Sequence, residues 1–246
     1  MLISAMVGID SRATMDIDTT LRNYPLNCES AEQIVRQIAD VEIDDKISFV
    51  IKKTEEIMED SEYQGVRLSL DAYLDKTRIP LKIDISTGDV ITPCEISFSY
   101  QLMFENRTIP LLAYPPETVL AEKLETILSR GAANTRLRDF YDVYILQRED
   151  FVVTPDALRY ALLATCRKRG HEDLLHTYAS ILNEVRQSGA MRAQWVKYQT
   201  DFDYAAGITW DTVLDTVETL CMKTLDDHAF GDELPQEESQ FEMHLL

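Results

Sequence analysis

Apolar and polar positions recur along this chain with two distinct periods, and the change from one to the other divides it. Residues 2–8, LISAMVG, read as the last turns of a helix that Gly8 ends, because glycine accepts the left-handed backbone of a helix stop. MDIDTTL (15–21) then alternates, which predicts a strand with Asp16 and Asp18 on one face and Ile17 turned into the core. Residues 29–43, ESAEQIVRQIADVEI, place Ala31, Ile34, Val35, Ile38 and Ala39 at helical spacing, with Ser30 as the expected cap. KISFVIKK, GVRLSLDAYL and IPLKIDIS follow as three β-rich segments joined by polar turns. ISFSYQLMF and RTIPLLAY either continue that sheet or form a hairpin across ENR.

The period lengthens after Pro115-Pro116. PETVLAEKLETILSRG reads as a helix opened by proline and closed by Gly131. LRDFYDVYILQR, TPDALRYALLATCRKRG, EDLLHTYASILNEVRQSG, a segment around MRAQWVKYQTDF, and TWDTVLDTVETLCMKTL continue the helical pattern. The expectation is an α+β chain: a mixed β-sheet with flanking helices over 1–114, a helical domain over 115–230, and an acidic, mobile tail over 231–246.

Composition narrows the function classes. With 246 residues, 45% hydrophobic, the chain can build a real core, and no apolar run approaches the ~20 residues that span a bilayer. Four cysteines, Cys28, Cys94, Cys166 and Cys221, lie far apart with no CxxC pair. With no basic, apolar leader at the N-terminus, they read as reduced thiols of a cytoplasmic protein. The net charge of −19 argues against non-specific DNA binding and suits a basic protein partner.

The candidate chemistry is carboxylate-based. Asp16 and Asp18 project from one face of a strand, roughly 7 Å apart at the backbone. Two acids that close repel unless a cation or proton lies between them. Asp84 stands between Ile83 and Ile85 in an apolar strand, where a lone carboxylate is costly. If the two strands pair, three carboxylates converge in a set suited to Mg²⁺ shared with substrate phosphates. The bland alternative is an exposed D-x-D turn. In the helical half, Lys123 lies on one helix, and Arg136, Arg138, Asp139 and Asp142 lie on or beside the next, with the two acids at i, i+3. Arg138 near a helix start opposes the dipole unless it serves an anion or acid; the alternative for this group is a set of surface ion pairs. Phe140, Tyr141 and Tyr144 read as core or interface residues, not a base-stacking platform. His171, His176, His228 and His244 have no cysteine or acid at ligand spacing, and no G-x-S-x-G, P-loop or G-x-G-x-x-G occurs.

The ordered set SRATMDIDTTL, GVRLSLDAYL, IPLKIDISTGD, YPPETVLAEKLETILSRG and NTRLRDFYDVYIL, spanning roughly residues 1–148, resembles the AbiEii/AbiGii toxin family of minimal nucleotidyltransferases. The resemblance implies a nucleotidyltransferase-like sheet domain of the polymerase-β type, with Asp16, Asp18 and Asp84 as metal ligands for Mg²⁺ or Mn²⁺. It implies that Lys123 touches nucleotide phosphates, that Asp142 is the acid of the last motif with Asp139 and Arg138 beside it, and that Arg12 offsets triphosphate charge. The implied reaction moves a nucleoside monophosphate from an NTP to an acceptor such as an RNA or tRNA end or a protein, in a toxin countered by a cognate antitoxin. The family also places a Gly-Gly or Gly-Ser loop ahead of the first helix. A chain beginning at Met1-Leu2-Ile3 is therefore expected to be N-terminally truncated. A catalytically silent member acting through a protein partner is the other expectation.

Overall fold

The computed structural model describes residues 2–8, 10–12, 14, 16–43, 45–57, 65–102, 105–148 and 153–226, with Asp16 described by its backbone alone. The expected tail over 231–246 lies outside the described residues. Two compact units are present: Met1–Val90 with Ser99–Ile109, and Ile91–Phe98 with Pro110–Leu246.

The first unit runs α1 (Leu2–Val7), β1 (Asp16–Thr20), α2 (Cys28–Ala39), β2 (Ile47–Ile57), β3 (Gly65–Leu74) and β4 (Thr77–Ser86). Its sheet has the order β1-β4-β3-β2, with β1 parallel to β4 and the other pairs antiparallel. The alternation in β3 decides its two faces. Val66, Leu68 and Leu70 are buried together with Ile85 of β4, Leu26, and Ala31 and Val35 of α2. Arg67 and Ser69 point the other way, as the period of two requires. An irregularity between Ile51 and Lys53 places Lys52 outside the pairing register, so that Ile51 opposes Leu70 while Thr54 opposes Leu68. That keeps both on the α2 side, where the Thr54 hydroxyl donates to Glu32 Oε2 at 3.0 Å.

Two local details differ from the sequence reading. The cap of α2 is Asn27, not Ser30: Asn27 Oδ1 accepts from the Ser30 N–H at 2.8 Å, and Ser30 Oγ accepts from the Asn27 N–H at 3.0 Å. Ser30 is thus the third-position half of a reciprocal capping box. The helix also ends at Ala39, because the Asp40 N–H bonds the Arg36 and Ile38 carbonyls and closes the last turn. Val41 and Ile43, read as helical, lie beyond it and are exposed. Of the two possibilities for the later strands, the hairpin holds: among the described residues β5 (Ile96–Gln101) and β6 (Thr108–Ala113) form a separate two-stranded sheet.

The second unit contains α3 (Pro116–Arg130), α4 (Leu137–Arg148), α5 (Pro155–Lys168), α6 (Leu174–Gln187), α7 (Gly189–Asp201) and α8 (Trp210–Leu225). Helix α3 starts with Pro116 in its first turn and stops at Gly131, whose φ of 48° is one that glycine tolerates. Helix α4 is the central element, with Leu137 and the whole run Asp139–Leu146 buried. Phe140 packs 5.0 Å from the Trp210 ring and Tyr141 lies 4.9 Å from Tyr204, so these aromatics, with Tyr144, are core residues. No helix among the described residues is long and apolar enough to cross a membrane.

Candidate active site

The polar face of the four-stranded sheet carries the acid strand. In the parallel pairing of β1 with β4, Asp18 stands directly opposite Asp84, and Asp16 opposite Lys82. Neighbouring strands are ~4.8 Å apart, so the Asp18 and Asp84 side chains leave the sheet side by side. The next strand completes the row, because β3 places Arg67 opposite Asp84. Arg67 Nε donates to Asp84 Oδ1 at 2.7 Å and Nη2 to Oδ2 at 2.6 Å, a bidentate ion pair. One row further on, Asp89 folds back from the turn at Gly88 (φ 83°) and accepts from Thr20 at 2.7 Å and Ser86 at 2.6 Å through one oxygen. Ile17 is half-buried, less enclosed than its strand position suggested.

Arg12 is buried ahead of β1, and its Nη1 donates to Ser4 Oγ of α1 at 3.4 Å. Asp16 belongs to β1 by its backbone, while its side chain lies outside the described residues. Among the described residues, no three His, Cys, Asp or Glu side chains converge in a ready metal-binding group. Asp18 and Asp84 are nevertheless hard oxygen donors on adjacent strands, the ligand type Mg²⁺ and Mn²⁺ take.

The other predicted residues lie in the helical unit, and they are far from a surface set. Asp139 and Asp142, one turn apart on α4, are 2% and 0% exposed. Lys123 of α3 reaches both, with Nζ 2.6 Å from Asp139 Oδ1 and 3.3 Å from Asp142 Oδ2. Arg136 Nε approaches Asp139 Oδ2 to 3.2 Å, but its N–H is not aimed at that oxygen, which has no hydrogen bond. Burial alone would push the Lys123 ammonium down; the two aspartates outweigh it and hold it above its ordinary value. Burial also raises the Tyr141 phenol to about 12, keeping it a neutral donor. Arg138, whose position near the helix start raised the question of an anion, lies over the Phe202 ring at 5.4 Å.

Three features escaped the sequence reading. Arg67 lies inside a strand that the sequence shows, and its alternation with apolar Val66 and Leu68, which puts it on the polar face of β3, was the available signal. Asp89, at the end of the IPLKIDISTGD stretch, has no role assigned from sequence. His171 has no acid at ligand spacing in the sequence, yet its Nδ1 is 2.7 Å from Oε1 of buried Glu125, whose other oxygen pairs with Arg169. No local spacing encodes that contact, because Glu125 and His171 come from different elements.

The family model described as "Nucleotidyl transferase AbiEii toxin, Type IV TA system" matches residues 1–216. A crystal structure described as that of a candidate nucleotidyltransferase from H. pylori aligns with 94% of this chain and 88% of its own, at 13% identity and a TM-score of 0.45. JHP933 from Helicobacter pylori aligns with 92% of this chain and 84% of its own, at 13% identity and a TM-score of 0.44. No curated protein matches the chain.

Proposed function

Because the chain belongs to the AbiEii family of nucleotidyltransferase toxins of type IV toxin–antitoxin systems, we propose that it transfers a nucleoside monophosphate from an NTP to an acceptor hydroxyl using a divalent cation held by Asp16, Asp18 and Asp84. The observation that carries this reading is the register that sets Asp18 opposite Asp84 on parallel neighbouring strands. A bound Mg²⁺ or Mn²⁺ would neutralise phosphate charge and polarise the α-phosphorus. The acceptor oxygen forms a bond to that phosphorus as the bond to pyrophosphate breaks, and the hydroxyl proton passes to a carboxylate or to water.

The chain's own residues supply orientation and charge. Asp16 and Asp18, fixed by one strand, hold the carboxylate side. Lys123 has three N–H donors; it donates to Asp139 at 2.6 Å and lies 3.3 Å from Asp142, and a further donor is the one proposed for a substrate phosphate. Asp139 and Asp142 position that ammonium and keep it charged. Arg12 and Arg138 add positive charge to offset a triphosphate. Positioning and fixed charges of this kind can account for most of the rate in phosphoryl and nucleotidyl transfer. A cognate antitoxin and an RNA acceptor, such as a tRNA end, are the partners this reading implies.

The test is Mg²⁺-dependent incorporation of α-labelled NTP into total RNA or protein, screened with each NTP. Asp18→Ala and Asp84→Ala should each lower incorporation by at least a hundredfold with the fold retained by circular dichroism. Undiminished incorporation by either variant would refute the site assignment.

A further inference from the structure

The ion pair between Arg67 and Asp84 has a second acceptor built beside it. Arg67 is the middle member of a cross-strand row: β3 places it opposite Asp84 on β4 and opposite Glu55 on β2. Directly opposed side chains in such pairs have Cβ atoms ~5 Å apart, so one guanidinium can reach a carboxylate on either side without moving the backbone. Here it is turned toward Asp84 and engages both oxygens, at 2.6 and 2.7 Å. Glu55 is meanwhile paired with Lys53 at 2.5 Å, the two side chains being 64% and 39% exposed. Exposed pairs of that kind exchange partners at little cost.

This arrangement conflicts with metal binding at Asp84. A divalent cation needs an oxygen at ~2.1 Å, and it repels a guanidinium that already occupies both. Arg67 is 37% exposed at its side chain, so it has room to turn away. We infer that Arg67 is a counter-ion that the divalent cation must displace from Asp84, and that Glu55 accepts the displaced guanidinium. Without the cation, Arg67 satisfies a half-buried acid that would otherwise be costly to leave unpaired on the sheet. With the cation, it turns one strand over and remains charged beside the phosphates of the substrate. Arg67 is thus a positioning residue that sets the cation concentration at which the site assembles.

The inference rests on the assignment of Asp84 as a metal ligand, and Mn²⁺ titration of the whole chain, followed by the paramagnetic resonance signal of free Mn²⁺, separates the two. Arg67→Gln should bind Mn²⁺ about three- to tenfold more tightly than the parent, since the competing cation is gone. Arg67→Lys, which pairs through a single point, should fall between them. Glu55→Gln alone should weaken Mn²⁺ binding, and it should have a clearly smaller effect when Arg67→Gln is already present. Unchanged or weaker Mn²⁺ binding by Arg67→Gln, while Asp84→Asn still weakens it, overturns the displacement and leaves the site assignment standing. Additive effects of the Arg67 and Glu55 substitutions overturn the role of Glu55. Unchanged binding by Asp84→Asn overturns the site assignment and this inference together.

Discussion

Replacing Lys123 by methionine keeps the aliphatic stem against α4 and removes only the charge that Asp139 and Asp142 share. Before the change, the Lys123 ammonium lies between Asp139 and Asp142, with Arg136 also beside Asp139; afterwards both buried acids have lost the charge they share. Breaking a buried pair from one side costs about 3–5 kcal/mol. For a protein of this size each kcal/mol moves Tm by about 2–4 °C. The Lys123→Met variant should therefore melt roughly 6–20 °C below the parent at pH 7. The alkaline side follows from the raised Lys123 ammonium. Its contribution is complete below about pH 10.4, the unfolded value, and is lost as pH rises through the higher folded value. Melting curves by circular dichroism at several pH values check each part. A drop under about 3 °C at pH 7 would show that the three groups are not the buried, mutually dependent set described above.

Two more outcomes test the packing of each unit separately. Leu68→Ala removes a fully buried side chain from the sheet core under α2 and should cost about 2–5 kcal/mol, read as a lower urea midpoint with an unchanged m-value. Burial raises the Cys166 thiol to about 12, helped by Glu125, and burial raises Cys221 likewise. At pH 8 an aromatic disulfide reagent should therefore modify exposed Cys94 first, and reach Cys166 and Cys221 only once denaturant is added. Prompt reaction at Cys166 or Cys221 in the native protein would contradict the packing around them.

The elements themselves were legible in the sequence because periodicity is a local property. A period of two set Asp16 and Asp18 on one face of β1 and Val66, Leu68 and Leu70 on one face of β3. The i, i+3 spacing of Asp139 and Asp142 fixed their common face on α4 without reference to any other helix. Proline and glycine marked both ends of α3 through their own backbone limits. The acids could thus be nominated, and so could Lys123, from residues alone.

What answers each charge was decided only in three dimensions. Asp84 in an apolar strand demanded a partner, but that the partner is Arg67 follows from the β3–β4 register, which depends on how the whole α2-facing core packs. Asp139 and Asp142 could equally have been surface acids. They are interior ones because α4 is enclosed on nearly every side, and Lys123 of α3 supplies a counter-charge to both. His171 acquired Glu125 across 46 residues of sequence. The hydrophobic pattern determines where a side chain points, whereas the partner of a charge depends on which distant segments packing brings within about 3 Å, and no local pattern carries that distance.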